Sequence, residues 1–140
     1  MFVLDTNICI YLIKARPPEV LEHLRATPVA RVALSAVTVA ELMYGVEKSM
    51  HPARNREALA ALLAPLRVEP FDDRASEVYG RVRAELERQG NPIGALDTMI
   101  AAHALALNAT LVTNDTREFE RVNGLRLANW TTPRGATSPL

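Results

Sequence analysis

Short apolar segments alternate along this chain with longer segments of helical pattern, and this alternation limits the folds open to it. The apolar segments are too short for helices and are typical of buried strands. Parallel strands need a crossover between them, so strands that alternate with helices predict a parallel sheet with helices on both faces. The predicted strands are residues 1–4, 31–34, 67–69, 110–112 and 125–128. We therefore predict a three-layer α/β/α fold around a central parallel sheet of about four to five strands.

Capping residues and helix breakers bound the predicted helices. Asp5 or Thr6 is expected to cap the first helix, because a short polar side chain can accept a hydrogen bond from a free N–H group at a helix start. Ser35 and Asp72 are expected to cap later helices in the same way. The predicted helices are residues 6–14, 19–26, 37–49, 52–64, 73–89, 95–107 and 116–122. No linker divides the chain, so one domain over 1–132 and a flexible tail over 133–140 are predicted.

Two aspartates stand just beyond predicted strands. Asp5 directly follows strand 1–4, and Asp115 comes shortly after strand 110–112. These two strands are expected at the centre of the sheet. In such folds ligands bind beyond the carboxyl ends of the strands, where the strand order reverses. Asp5 and Asp115 are therefore expected to be neighbours, although most of the chain separates them.

Two further acids, Glu41 and Asp97, interrupt apolar helical segments. Helical spacing puts each of them near a face that is expected to be buried. Carboxylates are costly to bury without compensation, and carboxylates that lie close together raise one another's pKa. A divalent cation that prefers oxygen ligands, Mg²⁺ or alternatively Mn²⁺, would remove this conflict. The four acids thus predict a metal site able to activate water against a phosphodiester.

Each of these acids also has a purely structural interpretation when it is taken alone. Asp5 and Asp115 fit the N-cap position of a helix. Asp97 fits a helix start or an ion pair, and Glu41 fits a helix residue with an arginine partner. It is the set of four, at strand ends and buried helix faces, that favours a site.

The composition narrows the class of protein. The hydrophobic fraction of 49% predicts a globular chain, and no apolar run is long enough to cross a membrane. No secretion leader is apparent, and the single cysteine, Cys9, fits a reducing cytosol, so a cytoplasmic location is expected. The net charge of zero argues against a strong nonspecific polyanion binder. The preponderance of Arg over Lys suits phosphate contacts but also follows from a GC-rich genome.

Four sequence blocks, in this order, resemble the signatures of PIN-domain ribonucleases. The blocks are Val3-Leu4-Asp5-Thr6-Asn7, Ser35-x-x-Thr38-x-x-Glu41-Leu42-x-x-Gly45, Asp97-x-x-Ile100-Ala101-Ala102-His103-Ala104 and Leu111-Val112-Thr113-Asn114-Asp115-x-x-x-Phe119. The resemblance runs from residue 1 to about residue 130. More narrowly, the chain is similar to the VapC toxins of bacterial toxin–antitoxin pairs. Its segment from Thr116 to Trp130 resembles the subgroup that cleaves initiator tRNA in the anticodon loop.

The resemblance implies a Mg²⁺-dependent endoribonuclease that inhibits translation, with a site on the four acids. Asp5 and Asp97 would be metal ligands, and Glu41 and Asp115 would complete the acidic cluster directly or through water. The subgroup often carries Asn at position 115, so Asp115 would be the replaceable member. Four polar residues would orient the carboxylates or waters: Thr6, Asn7, Thr113 and Asn114.

The resemblance also implies partners. RNA, with tRNA as the leading expectation, would be the substrate. A cognate VapB-type antitoxin would insert a segment into the acidic groove, and homodimers and larger toxin–antitoxin assemblies would form. No membrane partner is expected.

Two other functions remain open at this point. Phosphotransferases that form an aspartyl phosphate, and receiver domains, also begin with an apolar strand that ends in Asp. Such phosphatases need a second Asp two residues later, where this chain has Asn7. Receiver domains need a Lys after a late strand, whereas the only lysines are Lys14 and Lys48. The third possibility is a non-catalytic PIN binding module with a vestigial acidic cluster.

Some residues outside the acidic set invite a functional interpretation. His103 has the chemistry of a general base, but on a helix of small residues a structural role is predicted. Cys9 is predicted to be a buried, small apolar residue. Arginines near the end of the chain, including Arg117 and Arg121, are candidates for contacts with RNA phosphates, although a solvated surface is the default for any one of them.

Overall fold

The computed structural model describes residues 1–134, so most of the predicted tail at 133–140 lies outside the described residues. Five strands form one sheet: β1 Phe2–Leu4, β2 Val32–Ser35, β3 Arg67–Glu69, β4 Thr110–Val112 and β5 Arg126–Ala128. Seven α-helices surround it: α1 Thr6–Lys14, α2 Pro18–Arg25, α3 Ala36–Lys48, α4 Pro52–Leu63, α5 Asp73–Arg88, α6 Ala95–Ala106 and α7 Thr116–Phe119. The predicted α/β fold with a parallel sheet is confirmed.

The order of strands in the sheet is β3-β2-β1-β4-β5, and every neighbouring pair is parallel. The chain builds outward from β1 on one side through β2 and β3, then crosses back to place β4 on the other side of β1. The strand order therefore reverses between β1 and β4, which is where folds of this type bind ligands. As predicted, Asp5 follows β1 and Asp115 lies beyond β4 at this point.

Alternate residues of the central strands face two separate apolar cores. Val3 and Leu111 are directly paired and pack on the side of α5 and α6, while Leu4 and Val112 are paired and pack on the side of α1, α2 and α4. All four side chains are fully buried. Because successive strand residues point to opposite faces, three-residue strands suffice to join both layers. The sheet is therefore a rigid base for the residues that follow its strands.

Most element boundaries agree with the sequence predictions within one residue, and three differences bear on the local structure. Strand β2 extends to Ser35, which also caps α3 by accepting a hydrogen bond from the Val37 N–H at 3.1 Å. A short 3-10 helix, Val29–Arg31, precedes β2 and was not predicted. Helix α7 ends at Phe119 instead of residue 122, because the chain then turns toward Gly124, whose φ of +83° lies in the region that favours glycine. In residues 1–134 no helix is long and apolar enough to cross a membrane.

Candidate acidic site

Asp5 is the buried centre of the candidate site. Its side chain is 5% exposed and caps α1 by accepting a hydrogen bond from the Ile8 N–H at 2.9 Å. The hydroxyl of Thr113 donates a second hydrogen bond to the carboxylate. Burial nevertheless raises the pKa of Asp5 to about 6, and the nearby carboxylates of Asp97 and Asp115 add to the shift. Asp5 is therefore both the cap of α1 and a buried carboxyl group with a raised pKa.

Thr113 connects Asp5 to Asp115 across the end of β4. It is fully buried, and while its hydroxyl donates to Asp5, its Oγ1 accepts a hydrogen bond from the backbone N–H of Asp115 at 2.9 Å. Asp115 in turn caps α7, accepting from the Glu118 N–H at 3.2 Å. The expected neighbourhood of Asp5 and Asp115 is therefore present, with Thr113 as the residue between them.

Asp97 reaches the same place from the first turn of α6. It is half-buried, and burial together with the charge of Asp115 raises its pKa above the usual range. The loop before α6 is close to its carboxylate, since a Cβ on Gly94 would lie 3.9 Å from the Asp97 Oδ2. Position near a helix N-terminus favours the charged form but does not cancel the burial cost.

Glu118 is a fifth acid at the site, and the sequence analysis missed it. Its carboxyl group hydrogen-bonds with Asp115 and Asp97, and these contacts with burial raise its pKa to about 7. A pKa this high means that Glu118 is partly protonated near neutral pH, which lowers the repulsion among the neighbouring carboxylates. The available signal was its spacing: Glu118 stands three residues after the capping Asp115, so both lie on one turn of α7.

Glu41 approaches from α3 and is held by Thr6. The Thr6 hydroxyl donates a hydrogen bond of 2.8 Å to the Glu41 Oε1, which links the starts of α1 and α3. Asn7 is exposed, and the Asn114 amide donates to the Tyr11 hydroxyl at 3.2 Å instead of to an acid. Thr6 and Thr113 therefore contact carboxylates, whereas within residues 1–134 no hydrogen bond joins Asn7 or Asn114 to one of the five acids.

No basic side chain neutralises these acids in the part of the chain that the structure describes. Its four ion pairs are Arg56–Glu47, Arg67–Glu69, Arg83–Glu87 and Arg88–Glu85. Raised pKa values and absent counter-charges are what a cation-binding site looks like without its cation. Within residues 1–134 no group of three or more acidic, His or Cys side chains is placed to hold a metal ion. The carboxylate oxygens of the acids are nevertheless the kind of donor that a hard divalent cation prefers.

His103 and Cys9 lie outside this cluster. His103 is buried, its Nδ1 is 2.7 Å from the Ser35 Oγ, and its ring meets that of Phe71 edge-on at 5.3 Å between centroids. Burial lowers its pKa, so it is a neutral, hydrogen-bonded core residue. Cys9 is fully buried, and burial raises the pKa of its thiol far above the usual range. The structural roles predicted for both residues fit these positions.

Two grooves have acids of the candidate site in their lining. The first, of about 350 Å³, contains Thr6 and Glu41 and is walled mainly by apolar residues of α1, α3 and α4. The second, of about 540 Å³, is more open and lies between the loop before α6 and helix α7, with Asp115 and Glu118 in its lining. Glu41 therefore faces one groove, and Asp115 and Glu118 face the other.

Comparisons with known proteins agree with this geometry. The PIN domain model matches residues 2–125. The tRNA(fMet)-specific endonucleases VapC of Shigella flexneri and Salmonella typhimurium are 46% and 42% identical over 129 residues, which is 92% of this chain and 97% of each relative. The crystal structure of DNA-bound VapBC from Salmonella typhimurium matches with a TM-score of 0.88 at 42% identity, covering 92% of this chain and 97% of that one.

A second solved structure is similar to this chain to the same degree. VapBC2 from Rickettsia felis, bound to a DNA fragment from its promoter, matches with a TM-score of 0.86 at 41% identity, covering 92% of this chain and 98% of that chain. The match includes every element that carries the five acids. The chain therefore belongs to the PIN-domain family and, within it, to the VapC ribonucleases.

Proposed function

We propose that this protein is the toxin of a toxin–antitoxin pair, a Mg²⁺-dependent endoribonuclease that cleaves initiator tRNA in the anticodon loop and so inhibits translation. The observation that carries the proposal is the convergence of Asp5, Asp97, Asp115 and Glu118 at the strand-order reversal, without a basic partner in residues 1–134. The RNA target is supported by the names of the Shigella and Salmonella relatives.

Asp5 and Asp97 are the proposed direct ligands of the metal ion, with Glu41, Asp115 and Glu118 acting through water. When bound, Mg²⁺ lowers the pKa of water and offsets negative charge on the phosphoryl group under attack. The chain itself fixes the ligands: Ile8 and Thr113 hold Asp5, and Thr6 holds Glu41. These contacts come from backbone and buried groups, so the carboxylates are placed before the substrate arrives.

Glu118 has a separate role in this proposal. Its raised pKa lets it take up a proton beside Asp115 and Asp97, which limits repulsion within the cluster. A bound divalent cation would offset the repulsion among the carboxylates, as the proton on Glu118 does when no cation is bound.

The proposed partners are an antitoxin of the VapB kind and a second copy of the chain. The antitoxin is supported by the related structures, which are of VapBC. A cytoplasmic site of action is part of the proposal, and it is supported by the single buried cysteine and by the nature of the substrate.

The test is cleavage of deproteinised total tRNA by the purified protein, with mapping of the new RNA ends. We expect cuts confined to the anticodon loop of initiator tRNA, dependent on Mg²⁺ and abolished by EDTA. Cuts spread over all tRNAs would overturn the substrate, and undiminished cleavage in EDTA would overturn the metal. A stable beryllofluoride adduct on Asp5 would instead support the aspartyl-phosphate chemistry, for which Asn7 and the positions of the two lysines give no support.

A further inference from the structure

The groove between the loop before α6 and helix α7 combines acids and arginines. Its lining consists of Pro92, Ile93, Gly94, Asp115, Arg117, Glu118 and Arg121. Two members belong to the acidic cluster, and Gly94 is next to the carboxylate of a third acid, Asp97. The groove therefore runs directly from the acids to two guanidinium groups.

Both arginines are exposed and available to an anion. Within residues 1–134, Arg117 has no side-chain hydrogen bond and neither arginine has an ion pair. The Arg121 Nη1 donates a hydrogen bond of 3.3 Å to the carbonyl of Pro92, which holds its side chain across the groove. Arg117 lies on α7 and Arg121 lies two residues beyond its end, and both side chains line the groove.

The other groove that leaves the acids has a different character. Its only basic residue is Lys14, and most of its lining is apolar. The carboxylates repel the phosphates of an RNA strand that crosses the acidic cluster. Basic side chains beyond the cluster are therefore needed to bind the strand. Planar guanidinium groups are well suited to bind phosphates, so the arginine side favours the strand more than the apolar side does.

We propose that Arg117 and Arg121 bind backbone phosphates of the RNA next to the scissile bond and so position the strand in the α6–α7 groove. The inference rests on the proposed ribonuclease function. It adds the path of the bound RNA strand, which leaves the acids along α7. Both arginines act as positioning residues and take no part in bond making or breaking. The contacts are to phosphates, so they carry no base specificity.

The test compares Arg117→Ala and the double variant Arg117→Ala/Arg121→Ala with the wild type. Arg126→Ala is the matched control, because Arg126 is an exposed arginine at the start of β5, whereas the acids lie beyond the carboxyl ends of the strands. Steady-state cleavage of total tRNA is measured together with binding of a fluorescein-labelled single-stranded RNA over a range of salt concentrations. Thermal unfolding of each variant checks the fold.

We expect the double variant to raise KM about 10-fold with little change in kcat, since lost phosphate contacts weaken binding and leave the acids intact. The slope of log K against log salt should fall by about 0.7 for each lost phosphate contact, a readout that a purely structural role would not change. Arg117→Lys should recover much of the affinity. The control should behave as the wild type.

An unchanged KM and salt slope in the double variant, with wild-type cleavage intact, would overturn the proposal and leave the ribonuclease function standing. Weakened binding of the antitoxin with unchanged RNA binding would overturn it too, and would assign the groove to a protein partner. Absence of RNA cleavage by the wild-type protein would instead refute the underlying function.

Discussion

Two buried polar clusters lie side by side in this protein and differ in how their polar atoms are paired. In one, His103 is neutral and hydrogen-bonded to Ser35, whose own Oγ caps α3. In the other, the carboxyl groups of Asp5, Asp97 and Glu118 lie near further acids, and burial together with these neighbours raises the pKa of each of the three. Both clusters stand at carboxyl ends of strands, so location alone does not separate them.

The difference teaches which buried polar groups point to a ligand. A cluster that pairs its own donors and acceptors stabilises the fold and needs nothing further. A cluster of acceptors with like charge is stable only with protons or cations. The first cluster should therefore govern stability, and the second should govern activity at the expense of stability.

The largest expected effect is on activity in the acidic cluster. Asp97→Asn keeps the shape of the side chain but removes its charge, and should lower kcat/KM for tRNA cleavage by roughly 100-fold or more, because a lost metal ligand removes several kcal/mol of transition-state stabilisation. The matched control is Asp72→Asn, which makes the same change at the exposed cap of α5, away from the acids. Equal activity of the two variants would contradict the assignment of activity to the acidic cluster.

The next effect is on stability in the histidine cluster. His103→Ala leaves a cavity and an unpaired Ser35 hydroxyl, so we expect a loss of about 2–4 kcal/mol in the free energy of unfolding. A double-mutant cycle with Ser35→Ala should give a coupling of about 0.5–3 kcal/mol. Urea denaturation measures both, and kcat per folded molecule should stay near the wild-type value. A large fall in kcat without loss of stability would give His103 a catalytic role.

Removing charge from the acidic cluster should raise the free energy of unfolding, whereas His103→Ala lowers it. Asp5→Asn is expected to stabilise the metal-free protein by about 1–3 kcal/mol at pH 7.5, since a pKa shift of one unit corresponds to 1.36 kcal/mol and the amide loses the Thr113 contact. The folded-state pKa of about 6 exceeds the usual value of 3.8, so the ionisation penalty is absent below about pH 4, grows as pH rises and is complete above about pH 6. Urea denaturation between pH 4 and 8 should therefore show the variant gaining on the wild type as pH rises. A difference in the free energy of unfolding that does not change with pH would show that ionisation of Asp5 is not the cause.

The smallest expected effect belongs to Glu118. Its pKa of about 7 exceeds the usual value of 4.5, so the wild type loses stability as the pH rises from about 4.5 to about 7. Glu118→Gln keeps a hydrogen-bond donor toward Asp115 and Asp97 without ionising. In metal-free protein its melting temperature should match the wild type at about pH 4 and exceed it slightly at about pH 8. A lower melting temperature at pH 8 would show that the proton is not what Glu118 provides.

The parts of this account that were predictable from sequence depend on local patterns. The apolar segments and the caps Asp5, Ser35 and Asp72 set strands and helix starts within a few residues, because hydrophobic periodicity and N-cap chemistry act locally. The meeting of Asp5 and Asp115 followed from parallel strand ends. These features need no knowledge of side-chain packing.

The parts that were missed depend on tertiary packing. The spacing of Glu118 from the capping Asp115 is local, but its meeting with Asp97 depends on where α7 lies relative to the start of α6, and that has no local signal. The Thr6–Glu41 hydrogen bond joins two helices whose approach depends on the whole layer. Asn114 was expected to orient carboxylates, yet its amide donates to Tyr11, since the turn after Thr113 directs it toward α1.

The central claim is that the raised pKa values mark a divalent-cation site, and calorimetric titration tests it most directly. Mn²⁺ or Mg²⁺ is titrated at pH 7.5 into the wild type, Asp97→Asn and the control Asp72→Asn, each shown to be folded. We predict saturable binding to the wild type and to the control, and binding weakened at least 10-fold in Asp97→Asn, since charge and a ligand are lost together. Equal binding by all three proteins, or no binding by the wild type, would contradict the claim.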